Sequence, residues 1–106
     1  MFARSVSFHL KPSRTTEFTK TLEKDVLPVL RKQKGFQDEI TFVAPNGTDA
    51  VGISLWDLKE NADAYSRGTY ASVLKSMESV MEGTPEVESY EVCNSTFHKI
   101  AARTAV

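Results

Sequence analysis

From Phe2 to Leu10 the side chains alternate: Val6, Phe8 and Leu10 fall on one face, and Ala3, Ser5, Ser7 and His9 on the other. A period of two belongs to a half-buried strand, and a first strand is expected here. Lys11-Pro12-Ser13-Arg14 turns the chain, and Ser13, Thr15 or Thr16 is placed to cap a helix. Phe18, Leu22, Val26, Val29 and Leu30 then recur at steps of three and four, one apolar stripe that predicts a helix from about Thr15 to Gln33. Pro28 lies inside it, lacks an amide hydrogen and crowds the preceding turn, so a kink or break is expected near Val26. Gly35 supplies the left-handed residue that ends helices, with Phe36 beside it to fold back on the last apolar turn.

Asp38 to Ala44 and Ala50 to Trp56 are short runs rich in Ile, Val, Phe and Thr, joined by Pro45-Asn46-Gly47-Thr48-Asp49; they read as a hairpin. Asp57 to Ser66 has helical character, Gly68 interrupts it, and Tyr70, Val73, Leu74, Met77, Val80 and Met81 resume at helical spacing. A second helix in two pieces is predicted, stopped by Gly83-Thr84-Pro85. Glu86 to Lys99 has the β-branched and aromatic content of a last strand, and the tail from Ile100 to Val106 is expected to fray. The order is β-α-β-β-α-β, an α+β, ferredoxin-like arrangement with a four-stranded antiparallel sheet backed by helices on one face. The other face would be bare. Small residues on strand one, with Tyr90, Val92 and Phe97 on strand four, predict a homodimer in which two sheets meet face to face.

Composition narrows the partners. A chain of 106 residues with 41% hydrophobic and 25% charged residues fits a single folding domain spanning 1–106. Thirteen basic against fourteen acidic residues leave a net charge of −1, which excludes a basic field for nucleic acid. Cys93 stands alone, so no internal disulfide or multi-cysteine zinc site forms, and a reduced, cytoplasmic setting is expected. Signal-peptide and membrane-span patterns are missing, and no membrane partner is expected.

The opening strand followed by Leu10-Lys11-Pro12, the kinked Leu27-Pro28-x-Leu30 segment ending at Gly35-Phe36, the run Ile53-Ser54-Leu55-Trp56 and the Val87-x-x-Tyr90-x-Val92 strand resemble the antibiotic biosynthesis monooxygenase (ABM) domain family. The resemblance spans about Phe2 to Val92 and implies a dimeric α+β barrel. It implies a cavity between sheet and helices, lined by Val6 and Phe8, by Trp56 or its neighbours, and by Tyr65, Tyr70 and Leu74. Relatives include cofactor-free oxygenases of quinol-like or polyketide aromatics and haem-degrading enzymes. Haem degradation ranks last, because Ser72 to Met77, where such enzymes carry a proximal histidine, contains none and Val6 stands where they carry an amide; the oxygenase-like relatives often place a histidine in the same helix region, and Tyr65 to Met81 has none. The implied activity is a monooxygenase without cofactor acting on a small aromatic. The alternative is a non-catalytic dimeric barrel that binds a small apolar ligand in a stress or regulatory role.

No catalytic constellation can be assembled from the residues themselves. His9 is read as structural or as an interface residue facing the partner copy, lacking a companion at a helpful spacing, and His98 as exposed. Trp56 either caps the sheet end or forms a flat wall for an aromatic guest. Tyr65 and Tyr70 flank the Gly68 break, where their hydroxyls can orient a phenol or quinone oxygen, or simply pack half-buried. Met77 and Met81 read as core, Cys93 as an unactivated thiol, and Arg31-Lys32-Gln33-Lys34 as a solvated helix end.

Overall fold

The computed structural model describes residues 1–98. Strand β1 (Phe2–Leu10) leads to helix α1 (Thr15–Thr21), a π-helical turn (Leu22–Val26) and helix α2 (Leu27–Arg31). Strands β2 (Phe36–Val43) and β3 (Asp49–Trp56) form the hairpin, followed by α3 (Lys59–Arg67), α4 (Tyr70–Met77) and β4 (Met81–Glu91). The sheet order is β2-β3-β1-β4 with every pairing antiparallel, which is the ferredoxin-like arrangement expected from the element order. Among the described residues no helix is long and apolar enough to cross a membrane.

Residues directly opposite in an antiparallel pair share a face, and the register therefore decides what lies under the helices. Arg4 pairs with Ser54 and Ser54 with Glu39, giving one rung across β1, β3 and β2; Val6, Gly52 and Thr41 give the next. Leu10, Phe18, Trp56 and Val80 are fully buried around these rungs, each removing a large apolar side chain from water at roughly 1.5–3 kcal/mol.

The interruption expected near Val26 is a π turn: the Leu27 N–H donates to the Leu22 carbonyl, five residues back. The wider turn places Pro28 at the start of α2, where a missing N–H costs least. The helix cap differs from expectation. No side chain caps α1; Ser13 takes a φ of 62°, and the Thr15 hydroxyl instead donates to the Gly47 carbonyl at 3.1 Å, tying α1 to the hairpin turn.

The second half is also corrected. Helix α4 stops at Met77, and Met81, which continues the helical spacing, opens β4, so the last strand runs Met81–Glu91 rather than Glu86 to Lys99. Gly83, Thr84 and Pro85 do not stop a helix; they sit inside β4 where the register slips between Ser7 and His9. An edge strand with a bulge tolerates proline because that position has no ladder bond to donate. Lys99 and the tail from Ile100 to Val106 lie outside the described residues.

Gly35 shows both reasons for a glycine: its φ is +80°, and a Cβ there would sit 2.1 Å from Asp57 Oδ1 and 2.4 Å from Asn61 Nδ2. Its carbonyl accepts the Asp57 N–H at 2.9 Å, joining the end of α2 to the start of α3. Gly83 has a similar φ of +73° with nothing within 4 Å of an added Cβ. Gly83→Ala is expected to cost the conformational term alone, about 1–2 kcal/mol. Gly35→Ala adds the displacement of Asp57 and Asn61 and is expected to cost at least about 1 kcal/mol more. Urea unfolding of both variants checks this, and equal losses would contradict it.

Candidate functional site

The two rungs face a cavity of about 80 Å³ between the sheet and the helices. Phe8, Phe18, Leu22, Val26, Val73, Leu74 and Met77 make most of its wall apolar, while Arg4, Glu39, Thr41 and Ser54 make one side polar. The strand pattern explains the mixture. Even-numbered residues of β1 and odd-numbered residues of β2 from Glu39 on point the same way, apolar or not. At Gly52 the sheet floor has no side chain, and a Cβ there would stand 3.8 Å from Thr41 Oγ1 and 4.0 Å from both Glu39 Oε1 and Phe8 Cε1. The space is several times what one water needs, and about half of the ~150 Å³ cavity that accepts benzene.

Arg4 is the most unusual member. It is only 3% exposed, keeps its charge at any ordinary pH, and has no ion-pair partner among the described residues. Its guanidinium carbon lies 3.9 Å from the centre of the Tyr70 ring and 5.3 Å from that of Tyr65. Such contacts offset roughly 2 kcal/mol when desolvated, against several kcal/mol for burying the ion. Neither Arg4 Nε nor the buried Tyr70 hydroxyl has a hydrogen-bond partner among the described residues.

Aromatic packing holds this arrangement in place. Phe36 meets Trp56 edge-on at 5.7 Å, Trp56 lies 5.1 Å from Tyr65, and Tyr65 lies 5.9 Å from Tyr70. The Trp56 Nε1–H donates to Ser54 Oγ at 2.9 Å, satisfying a buried donor. Burial pushes the Tyr65 phenol up to about 12, against the pull of the Arg4 charge, so Tyr65 is a neutral hydroxyl at physiological pH. Burial also raises the Glu39 carboxyl above its ordinary range, opposed by a hydrogen bond from the Thr41 hydroxyl.

Of the residues proposed for a cavity, Val6, Phe8, Tyr65, Tyr70 and Leu74 all line this one; Trp56 does not, being fully buried behind Tyr65 as a buttress. Arg4, Glu39, Thr41, Ser54 and Gly52 also line it, although no motif in the sequence marks them as cavity residues. For Arg4 the signal was present: it shares parity with Val6 and Phe8. Met77 is core and also lines the cavity, as does Met81. His9 does have an acidic companion, Asp49, with Nδ1 2.8 Å from Asp49 Oδ1 across the β1–β3 ladder. That pair is well exposed on the open face, and its carboxylate is held below its usual range first by Asn46 and then by His9. His98, expected to be exposed, is mostly covered and lies 2.7 Å from Asp38. Cys93 is exposed. Among the described residues no group of three or more His, Cys, Asp or Glu is placed to hold a metal ion.

No family model matches the chain, and no curated protein sequence does. Solved structures match its fold. A Bordetella bronchiseptica protein provisionally described as an antibiotic biosynthesis monooxygenase superposes with a TM-score of 0.73 at 13% identity, over 86% of this chain and 95% of its own. A mutant of SnoaB, a cofactor-independent oxygenase from Streptomyces nogalater, gives 0.71 at 12% identity, over 90% and 95%. The monooxygenase of the ActVA-Orf6 gene of Streptomyces coelicolor, in complex with nanaomycin D, gives 0.70 at 16% identity, over 99% and 89%. The chain thus has the fold of antibiotic biosynthesis monooxygenases, and the resemblance read from its residues is borne out at that level.

The raised Glu39 pKa carries a sign. The folded state holds this proton more tightly than the unfolded chain, so the carboxyl's support for the fold is complete below the unfolded value and is lost as pH rises through the folded one. Glu39→Gln is therefore expected to melt at a higher temperature than the parent at pH 7, with the gap closing as pH falls below the ordinary carboxyl value of 4.5. Thermal unfolding across pH measures this; a gap that does not change with pH would contradict it.

Proposed function

We propose that the chain is a single-domain, ABM-type oxygenase that works without a cofactor on a small electron-rich aromatic held between sheet and helices. The observation that carries this reading is the cavity itself: apolar walls with aromatic faces, and a charged and hydroxylated side at Arg4, Glu39 and Thr41. The matching fold of cofactor-independent and ligand-bound monooxygenases supports it. The reaction class balances without an external reductant. A phenol loses its O–H proton and one ring C–H, gains one oxygen of O₂ as a second carbonyl, and the other oxygen leaves as water. The four electrons that reduce O₂ come from the ring. Glu39 is placed to take the phenol proton, and the Arg4 charge to stabilise the phenolate that reacts.

The volume favours one refinement. At about 80 Å³ the space is well below the 300–1,000 Å³ typical of drug-sized ligands, so a single ring is the expected guest, admitted by adjustment of the flexible Met77 and Met81. The same small volume favours the second reading, a non-catalytic barrel that binds a small apolar ligand. Haem fits neither the space nor the lining, which contains no histidine or cysteine.

We further propose that a second copy covers the open sheet face, where Ile40, Phe42 and Tyr90 are 45%, 52% and 53% exposed. A cytoplasmic setting agrees with the single exposed Cys93.

Oxygen uptake with a panel of mono- and dihydroxybenzenes tests the activity; no uptake with retained binding supports the second reading. Gly52→Ala tests the site, because its methyl group enters the cavity without a clash. The variant is expected to be as stable as the parent or up to about 1 kcal/mol more stable. It is also expected to lose ring binding by about tenfold or more, equivalent to about 1.4 kcal/mol. Unchanged binding in the folded variant would place the guest elsewhere.

A further inference from the structure

We propose that Arg4 is the anion-recognising residue of the cavity, which makes its ligand a small aromatic carrying a negatively charged oxygen, a carboxylate or a phenolate. This rests on the reading of the cavity as a binding site and adds the chemical class of what it selects.

Three observations converge. A permanently charged side chain is buried to 3% exposure with no carboxylate paired to it among the described residues. Its Nε and the neighbouring Tyr70 hydroxyl, both buried, have no hydrogen-bond partner among the described residues. Tyr70 and Tyr65 contact the guanidinium through their rings, and ring contact offers no acceptor to the Nε–H. An oxyanion entering the cavity supplies the missing acceptor and charge, while its ring replaces empty space against Phe8 and Val73. The nearest acid in the register, Glu39, is one full strand away across Ser54 and accepts from Thr41 instead.

A purely structural Arg4 would only need to fill space and stack, and would not distinguish an anion from its neutral isostere. The titratable groups facing it are Glu39 from β2, Tyr65 from α3 and Tyr70 from α4; β4 contributes Ser89 in register, and α1 and the π turn contribute apolar side chains.

The test compares benzoate with benzamide by ligand-observed NMR on the full chain, and follows the ionisation of bound 4-nitrophenol by absorbance. Benzoate is expected to bind at least about tenfold more tightly than benzamide, and bound 4-nitrophenol to ionise at least about one pH unit lower than free, the same tenfold factor. Both effects are expected to vanish in Arg4→Met while benzamide binding is kept. Equal binding of benzoate and benzamide with unshifted nitrophenol overturns the role of Arg4 and leaves the cavity as a neutral site. Failure of every probe overturns the cavity reading as well. An anion preference that survives in folded Arg4→Met also overturns the proposal, and if that variant does not fold, the comparison on the parent protein decides.

Discussion

Strand β1 pairs along nearly its whole length with β3 on one side and β4 on the other. This double pairing leaves it no freedom of register, since a slip of one residue would turn Phe2, Val6, Phe8 and Leu10 out of the core. Arg4 has the same parity and is carried under the helices with them. The apolar pattern of one strand thus forces a charge into the interior. Much of the site follows from accommodating that charge: the stacked tyrosines, the tryptophan behind them, and the polar rung of Ser54 and Glu39.

That accommodation is incomplete within the chain itself. Stacking on Tyr70 and Tyr65 recovers part of the cost of removing Arg4 from water, yet stacking satisfies no N–H donor. A closed, fully paired core would have placed a carboxylate beside the guanidinium. Here the candidate acid is held one strand away by its own hydrogen bond, and a glycine in the strand between keeps the floor low. Among the described residues, empty volume, an unpaired cation and an unpartnered hydroxyl coincide at one place, and that coincidence supports the proposal of a binding site there.

Structures named as monooxygenases share this fold at 12–16% identity, a level at which the backbone is preserved and side-chain roles are free to change. The chemistry therefore has to be argued from this chain's own cavity. Its lining has no histidine, and its charged groups are one arginine and one carboxyl. The proposed reaction suits such equipment, because its substrate would bring its own electrons and leave the protein only to bind, take a proton and steady an anion.

The element order, the hairpin at Asn46-Gly47 and the helix end at Gly35 could be read directly, because alternation, helical spacing and turn chemistry are local properties. Val6, Phe8, Tyr65, Tyr70 and Leu74, candidates from alternation and the resemblance, share the wall of one cavity. Local spacing failed at Met81, which fits a helix but joins the edge strand, and at Pro85, which a bulge absorbs. Trp56 is buried behind Tyr65, as its size suggested for a residue capping the sheet end, and does not form the flat wall that was its alternative. Tertiary structure alone decided that Arg4, Glu39, Thr41 and Gly52 meet in one space, because register across three strands brings together residues up to about fifty positions apart. The chain's own pattern sets which face each side chain takes; only the packed sheet sets which side chains become neighbours.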